Sequence, residues 1–151
     1  MTNSIIKKIS PCLLFILALC SGNIPVWSAE ALEPLEKLHQ YFNDACLETR
    51  KEDSVKAADQ VLKTSELLEG LKSQSKGRFR KLFRNSLIEI NRLEKKFREG
   101  HLVHGIRSIE NDFYSAEIAI RAFVQKNNRG IRLPKKSLLG NEGKEGRCPV
   151  N

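Results

Sequence analysis

Methionine and tryptophan are nearly absent from this sequence: Met1 and Trp27 are single residues of their kinds. With no methionine beyond Met1, a helical fold that holds haem between an axial histidine and an axial methionine is excluded. Cys-x-x-Cys-His does not occur, which removes covalent haem attachment. Three histidines are present, His39, His101 and His104. A haem between two of them would need both turned into a core, whereas His101 and His104 sit between Gly100 and Gly105, where a turn is expected. No Gly-x-Ser-x-Gly occurs and no Cys/His pair is placed by the sequence, so nucleophilic catalysis has no support. The carboxylates follow polar helix faces, with no isolated pair for acid–base work. Strand patterns, glycine-rich loops and internal repeats are also lacking. The expectation is a protein without cofactor, metal or enzymatic activity.

Two metal patterns test that expectation. A di-iron carboxylate site in a helical bundle needs two Glu-x-x-His motifs and two further inward glutamates. Glu36-x-x-His39 is the single match, and it lies off the apolar stripe set by Leu35, Leu38 and Phe42. His101 and His104 beside Glu99 would make at most a weak surface site, and solvent-facing loop histidines are the plainer reading.

The N-terminus has the layout of a secretory leader. Lys7 and Lys8 form a positive start, and Ile9 to Leu19 is apolar except at Ser10 and Pro11. Ser21, Gly22 and Pro25 end the run, and Val26-Trp27-Ser28 is a plausible cleavage region. The run is short for a membrane span of about 20 residues, and no second one follows. The expected organisation is a leader at 1–29, a helical domain at 30–126 and a basic, glycine-containing disordered tail at 127–151. Leu17-Ala18-Leu19-Cys20 resembles a bacterial lipoprotein signal, departing from it at Leu19, where a small residue is usual. That resemblance implies a lipid anchor on Cys20 as a lesser alternative.

Leader removal takes Cys12 and Cys20 with it and leaves Cys46 and Cys148 in a compartment where disulfides persist. A Cys46–Cys148 bond would close a loop of about 100 residues. In the chain-entropy model that stabilises by up to ~4–5 kcal/mol. Two free thiols are the alternative.

The domain itself reads as helix almost throughout. Leu35, Leu38, Phe42 and Ala45 mark a first helix over 32–51, with Pro34 in its first turn. Asp53 or Ser54 caps a second, whose apolar face is Ala58, Val61, Leu62, Ser65 and Leu68, with Gly70 as a candidate terminator and extension through Leu71 and Lys72 as the alternative. A loop at 73–77 precedes a third helix over 78–99, with seam Phe79, Phe83, Ser86, Ile90, Leu93 and Phe97, stopped by Gly100. Leu102, Ile106, Ile109, Phe113, Ala116, Ile120 and Phe123 mark a fourth, stopped at Asn127. Every phenylalanine beyond the leader falls on a seam. A mean spacing of 3.5 residues suits shallow helix crossing near 20°. Four such helices with short links predict an all-α, antiparallel up-down four-helix bundle. Ala45, Ser65, Ser86 and Ala116 are small seam residues that suit either close helix approach or a cavity.

Charge is the strongest positive feature. The net charge is +8, and the leader holds two lysines and no acid, so processing leaves about +6. Residues 30–71 hold ten acids and five bases, whereas 72–98 hold ten bases and two acids. Arg78, Arg80, Lys81 and Arg84 near the start of the third helix oppose its dipole, while Lys95 and Lys96 near its end suit it. These six are the expected binding residues, and an acidic protein or an anionic envelope component is the expected partner. Nucleic acid is not expected, because the interleaved aromatics point to a core and not to a stacking surface. A solvated helix face, or a register device against the acidic first two helices, would explain the same charges.

The expected function is therefore a small exported protein, periplasmic or extracellular, that acts by binding. A core that carries a small ligand or metal, or a structural surface lipoprotein, is the alternative. Processing has a direct readout. Cleavage after Ser28 or Ala29 leaves a product without tryptophan fluorescence, whereas processing before Cys20 keeps Trp27; mass spectrometry and emission spectra of the exported protein decide between them.

Overall fold

The computed structural model describes residues 27–102 and 105–133, with side chains placed from 31 onward except at 105–107. The leader segment through residue 26, Cys12, Cys20, His104 and the chain from Pro134 to Asn151, including Cys148, lie outside the described residues. Among the described residues there are four helices and no strand: α1 (Trp27–Arg50), α2 (Ser54–Gln74), α3 (Gly77–Arg98) and α4 (Gly105–Asn127). None is long and apolar enough to cross a membrane.

α1 packs on α2, α2 on α3, α3 on α4, and α4 returns to α1. This closed ring is consistent with a helical bundle. Its interior is the set of seams. Leu35, Leu38, Phe42 and Ala45 of α1 are buried with Ala58, Val61 and Leu68 of α2. Phe83, Ile90, Leu93 and Phe97 of α3 meet Ile109, Phe113, Ala116 and Ile120 of α4. Phe42 and Phe113 pack as tilted rings with centroids 5.6 Å apart. Phe123 meets Phe83 and Phe79 edge-on at 5.4 and 6.0 Å, geometries that favour aromatic pairs.

The small seam residues mark close approach. Ser86 donates to the Ser115 carbonyl of α4 at 3.4 Å, and Ser65 donates to Asn91 Oδ1 of α3 at 2.6 Å. A longer side chain at either serine would hold the helices apart.

Several boundaries differ from expectation. α1 starts at Trp27, inside the segment assigned to the leader, so Pro34 lies within the helix and not in its first turn. α2 passes the candidate terminator Gly70 and takes the alternative extension through Leu71 and Lys72, ending at Gln74, because Leu71 is buried and rewards another turn. Ser75 then ends it, its N–H and hydroxyl both reaching the Lys72 carbonyl. Leu62, placed on the apolar face by its spacing, is 37% exposed. α4 starts at Gly105, so Leu102 precedes it and packs on the core from the connecting segment.

The turns follow capping chemistry. Asp53 caps α2, its side chain accepting from the Lys56 N–H at 3.0 Å. After α3, Gly100 at φ +79° lets its own N–H reach Phe97 O and the His101 N–H reach Lys96 O, a Schellman closure. α1 closes in the same way, through Glu52 N–H to Thr49 O and Asp53 N–H to Glu48 O, but the left-handed position holds Glu52 at φ 60°. A side chain there strains the backbone. Glu52→Gly is expected to raise stability by about 1 kcal/mol, read as a higher midpoint in urea unfolding.

Candidate functional site

The cations of α3 occupy three rows. Five helical turns span 18 residues, so Arg78 and Lys96 share one azimuth, while Arg80 shares another with Arg98. Arg98 bonds Asp59 of α2 at 2.8 Å, which places the Arg80 row on the α2 flank. Lys96 acts electrostatically on Asp112 of α4, which places the Arg78 row on the α4 flank. Lys81, Arg84 and Lys95 lie between these, on the outer face, in line with Arg92 and the half-exposed Ile88. All six cations singled out from the sequence are exposed. They do not form one cluster: Lys81 and Lys95 are about 21 Å apart along the axis.

Pairing separates the two ends. Toward the C-terminus, Arg92 bonds Glu89 at 3.2 Å, Lys95 approaches Glu99 at 3.8 Å, and Arg98 bridges Glu94 and Asp59. Toward the N-terminus, Lys76, Arg78, Arg80, Lys81 and Arg84 have no carboxylate at ion-pair distance among the described residues. The first turn of α3 holds no acid, and no side chain caps its N-terminal end. Lys76, Arg78 and Arg80 therefore crowd the positive end of a helix dipole without compensation, and Lys81 and Arg84 follow in the next turns. Arg78 does find a ring, its guanidinium lying 5.4 Å from the Phe79 centroid.

The register-device explanation meets one contact only. Arg98–Asp59 is the single ion pair between α2 and α3 among the described residues, the others there being i,i+3 or i,i+4 pairs within one helix or its cap. The acids of α2 leave the N-terminal cations of α3 alone.

Two carboxylates unmarked by the sequence pattern sit on α4. Glu117 is buried and accepts from Arg121 Nε at 2.6 Å, an ion pair within the helix. Asp112 faces α3, and its carboxyl is pushed up to about 6, first by burial and then by Glu89, with Lys96 and Arg92 pulling it back down. Lys96 is thus engaged with the fold as well as with solvent. No group of three or more His, Cys, Asp or Glu side chains gathers to hold a metal among the described residues. Glu36 is exposed, and His39 pairs with Asn43 at 3.4 Å. Cys46 is buried in α1 and disulfide-bonded; its proposed partner, Cys148, lies outside the described residues.

The chain matches no family model, no curated protein and no solved structure. The electrostatics of α3 therefore carry the functional assignment.

Asp112 generates a pH prediction. Its folded value lies above the ordinary carboxylate value of 3.8, so the folded state holds the extra proton. That contribution is present below about 4 and is lost as pH rises through about 6. Asp112→Asn is expected to stabilise by about 1–2 kcal/mol at pH 7.5 and to change little at pH 4, measured by urea unfolding at both.

Proposed function

We propose that this is a small exported protein that acts by binding, an envelope or extracellular interaction protein whose basic surface engages an acidic partner. The observation that carries this reading is the uncompensated cation group at the start of α3, set against the paired cations at its end. Cationic residues close together in water repel, and a helix N-terminus disfavours them further. A surface that keeps five of them without acids is suited to a partner that supplies the negative charge. Arg80, Lys81 and Arg84 hold the α2 flank and outer face of this group, and Arg78 turns toward α4. Lys95 and Lys96 contribute long-range attraction while partly occupied within the fold.

The proposed architecture is an antiparallel up-down four-helix bundle. Links of three and two residues, at 51–53 and 75–76, reach under about 15 Å, whereas the helices are over about 30 Å long. Across α2 and α3, Ser65 meets Asn91 while Asp59 meets Arg98, the order that opposed chains produce. Export is supported by the leader-like first segment and by the disulfide on Cys46, a bond that persists in oxidising compartments. With a leader through residue 29 removed, Cys148 is the remaining cysteine that can complete it. The role proposed is binding without catalysis.

The test is retention of the naturally processed protein on polyglutamate and on anionic vesicles as salt rises. Arg80→Glu, Lys81→Glu and Arg84→Glu together are expected to weaken retention by about tenfold or more, and raising salt from about 50 to 500 mM should weaken the native protein similarly. The pair Lys95→Glu and Lys96→Glu should cost less. Retention indifferent to both salt and charge reversal refutes the assignment.

A further inference from the structure

A cleft of about 530 Å³ opens where the start of α3 meets the end of α4. Lys76, Arg78 and Phe79 line one side, and Ala122, Gln125 and Lys126 the other. Three cations face this space and no carboxylate does. None of the three has an ion-pair partner among the described residues. The groove between α1 and α2 is a useful contrast. It measures about 340 Å³, carries Glu33 and Glu66, and its Lys37 is bound to Glu33 at 2.6 Å. That groove is mixed in charge and its one lysine is paired, whereas the α3–α4 cleft is of one sign and its cations have no ion-pair partner among the described residues.

We propose that the α3–α4 cleft binds a phosphate monoester whose organic body has an apolar face. This site rests on the basic-surface reading above and gives that surface one ligand chemistry. Three positive groups, from the residue preceding α3, from α3 and from α4, surround one space, more than a single carboxylate can satisfy. A phosphate monoester carries close to two negative charges at neutral pH and three acceptor oxygens, one for each cation, with charge-assisted bonds stronger than neutral ones. The apolar element comes from the fold. Phe79 is only partly buried, with Phe123 against it at 6.0 Å and Arg78 over its ring. Ala122 opposite is small enough to leave room, and Gln125 offers an amide for orientation. The volume falls in the range that holds an organic ligand and not only an ion. The end of α4 would repel an anion through its carbonyls, but the Val124 carbonyl is covered by the Asn128 main-chain and side-chain N–H groups at 2.9 and 3.2 Å.

The experiment uses the naturally processed full chain and phenyl phosphate as the soluble probe, followed by amide NMR. Saturable shifts at Gly77, Arg78, Phe79 and Lys126 are expected, with none at Lys95. Phenyl phosphate should bind about fivefold tighter than inorganic phosphate because its ring lies against Phe79. Lys76→Ala with Lys126→Ala, both exposed positions, should lower affinity about tenfold or more at unchanged unfolding midpoint. Arg80→Glu with Lys81→Glu should lower it far less. Vesicles containing phosphatidic acid, set beside phosphatidylcholine alone, separate the sources. Retention that depends on Lys76 and Lys126 identifies a lipid headgroup, and phenyl phosphate binding without such retention identifies a soluble ester. Shifts that are absent, or that persist undiminished in the Lys76/Lys126 variant, overturn the proposal. If polyglutamate retention survives in that case, the cleft assignment fails while the basic-surface reading stands.

Discussion

The structure depends on the burial of phenylalanine rings along α4. Phe113 meets Phe42 of α1, and Phe123 meets Phe83 and Phe79 of α3. α4 thereby joins the first helix of the ring to the third. Aromatic side chains bury the largest apolar areas available to a chain of this composition, and their tilted and edge-on contacts add to simple area burial. Successive helices are held near one another by short links, but α1 and α4 are separated by the rest of the fold. Their contact has to be won by packing, and Phe42 against Phe113 is where that occurs.

Close packing limits what the polar seam residues can be. Ser65 and Ser86 fit because each spends its hydroxyl on a group of the neighbouring helix, and a buried hydroxyl without such a partner is costly. Thr49 and Thr64 satisfy theirs within their own helices, on the Ala45 and Gln60 carbonyls. Glu117 is the extreme case, a carboxylate in the core with Arg121 one turn away. A buried charge of this kind is tolerated only with its partners in place. These buried side chains are thus each matched to a partner, while the uncompensated charge lies on the surface of α3.

That division links fold to function. A helix whose apolar face is fully used has only its outer face and flanks for partners. On α3 those surfaces are basic, and the acids within α3, together with Asp59 of α2, decide which cations remain available. Asp59 and Glu94 occupy Arg98, and Glu89 occupies Arg92. At the other end α4 brings up Lys126 and Gln125 in place of acids, and a cleft of one sign results.

The helical periodicity was legible because seam spacing is a local property. The four helices, the placement of phenylalanines on their buried faces, the Asp53 cap and the Gly100 stop can all be read from neighbours along the chain. Gly70 left the end of α2 open and Pro34 misled for the same reason: a local breaker signal weighs about 1 kcal/mol for glycine and about 3 for proline, which buried neighbours such as Leu71 and Leu35 can outweigh. Leu62 was misplaced because one seam residue too many widens the stripe beyond what the neighbouring helices can cover. By itself the sequence determined the helices, their apolar faces and the basic character of the third. Only the tertiary structure decided that Arg98 reaches Asp59, that Asp112 is half-buried within reach of the Glu89 charge, and that Lys76, Arg78 and Lys126 share one cleft. Those outcomes depend on distances between helices, and side chains on different helices are brought together by packing and not by their order in the chain.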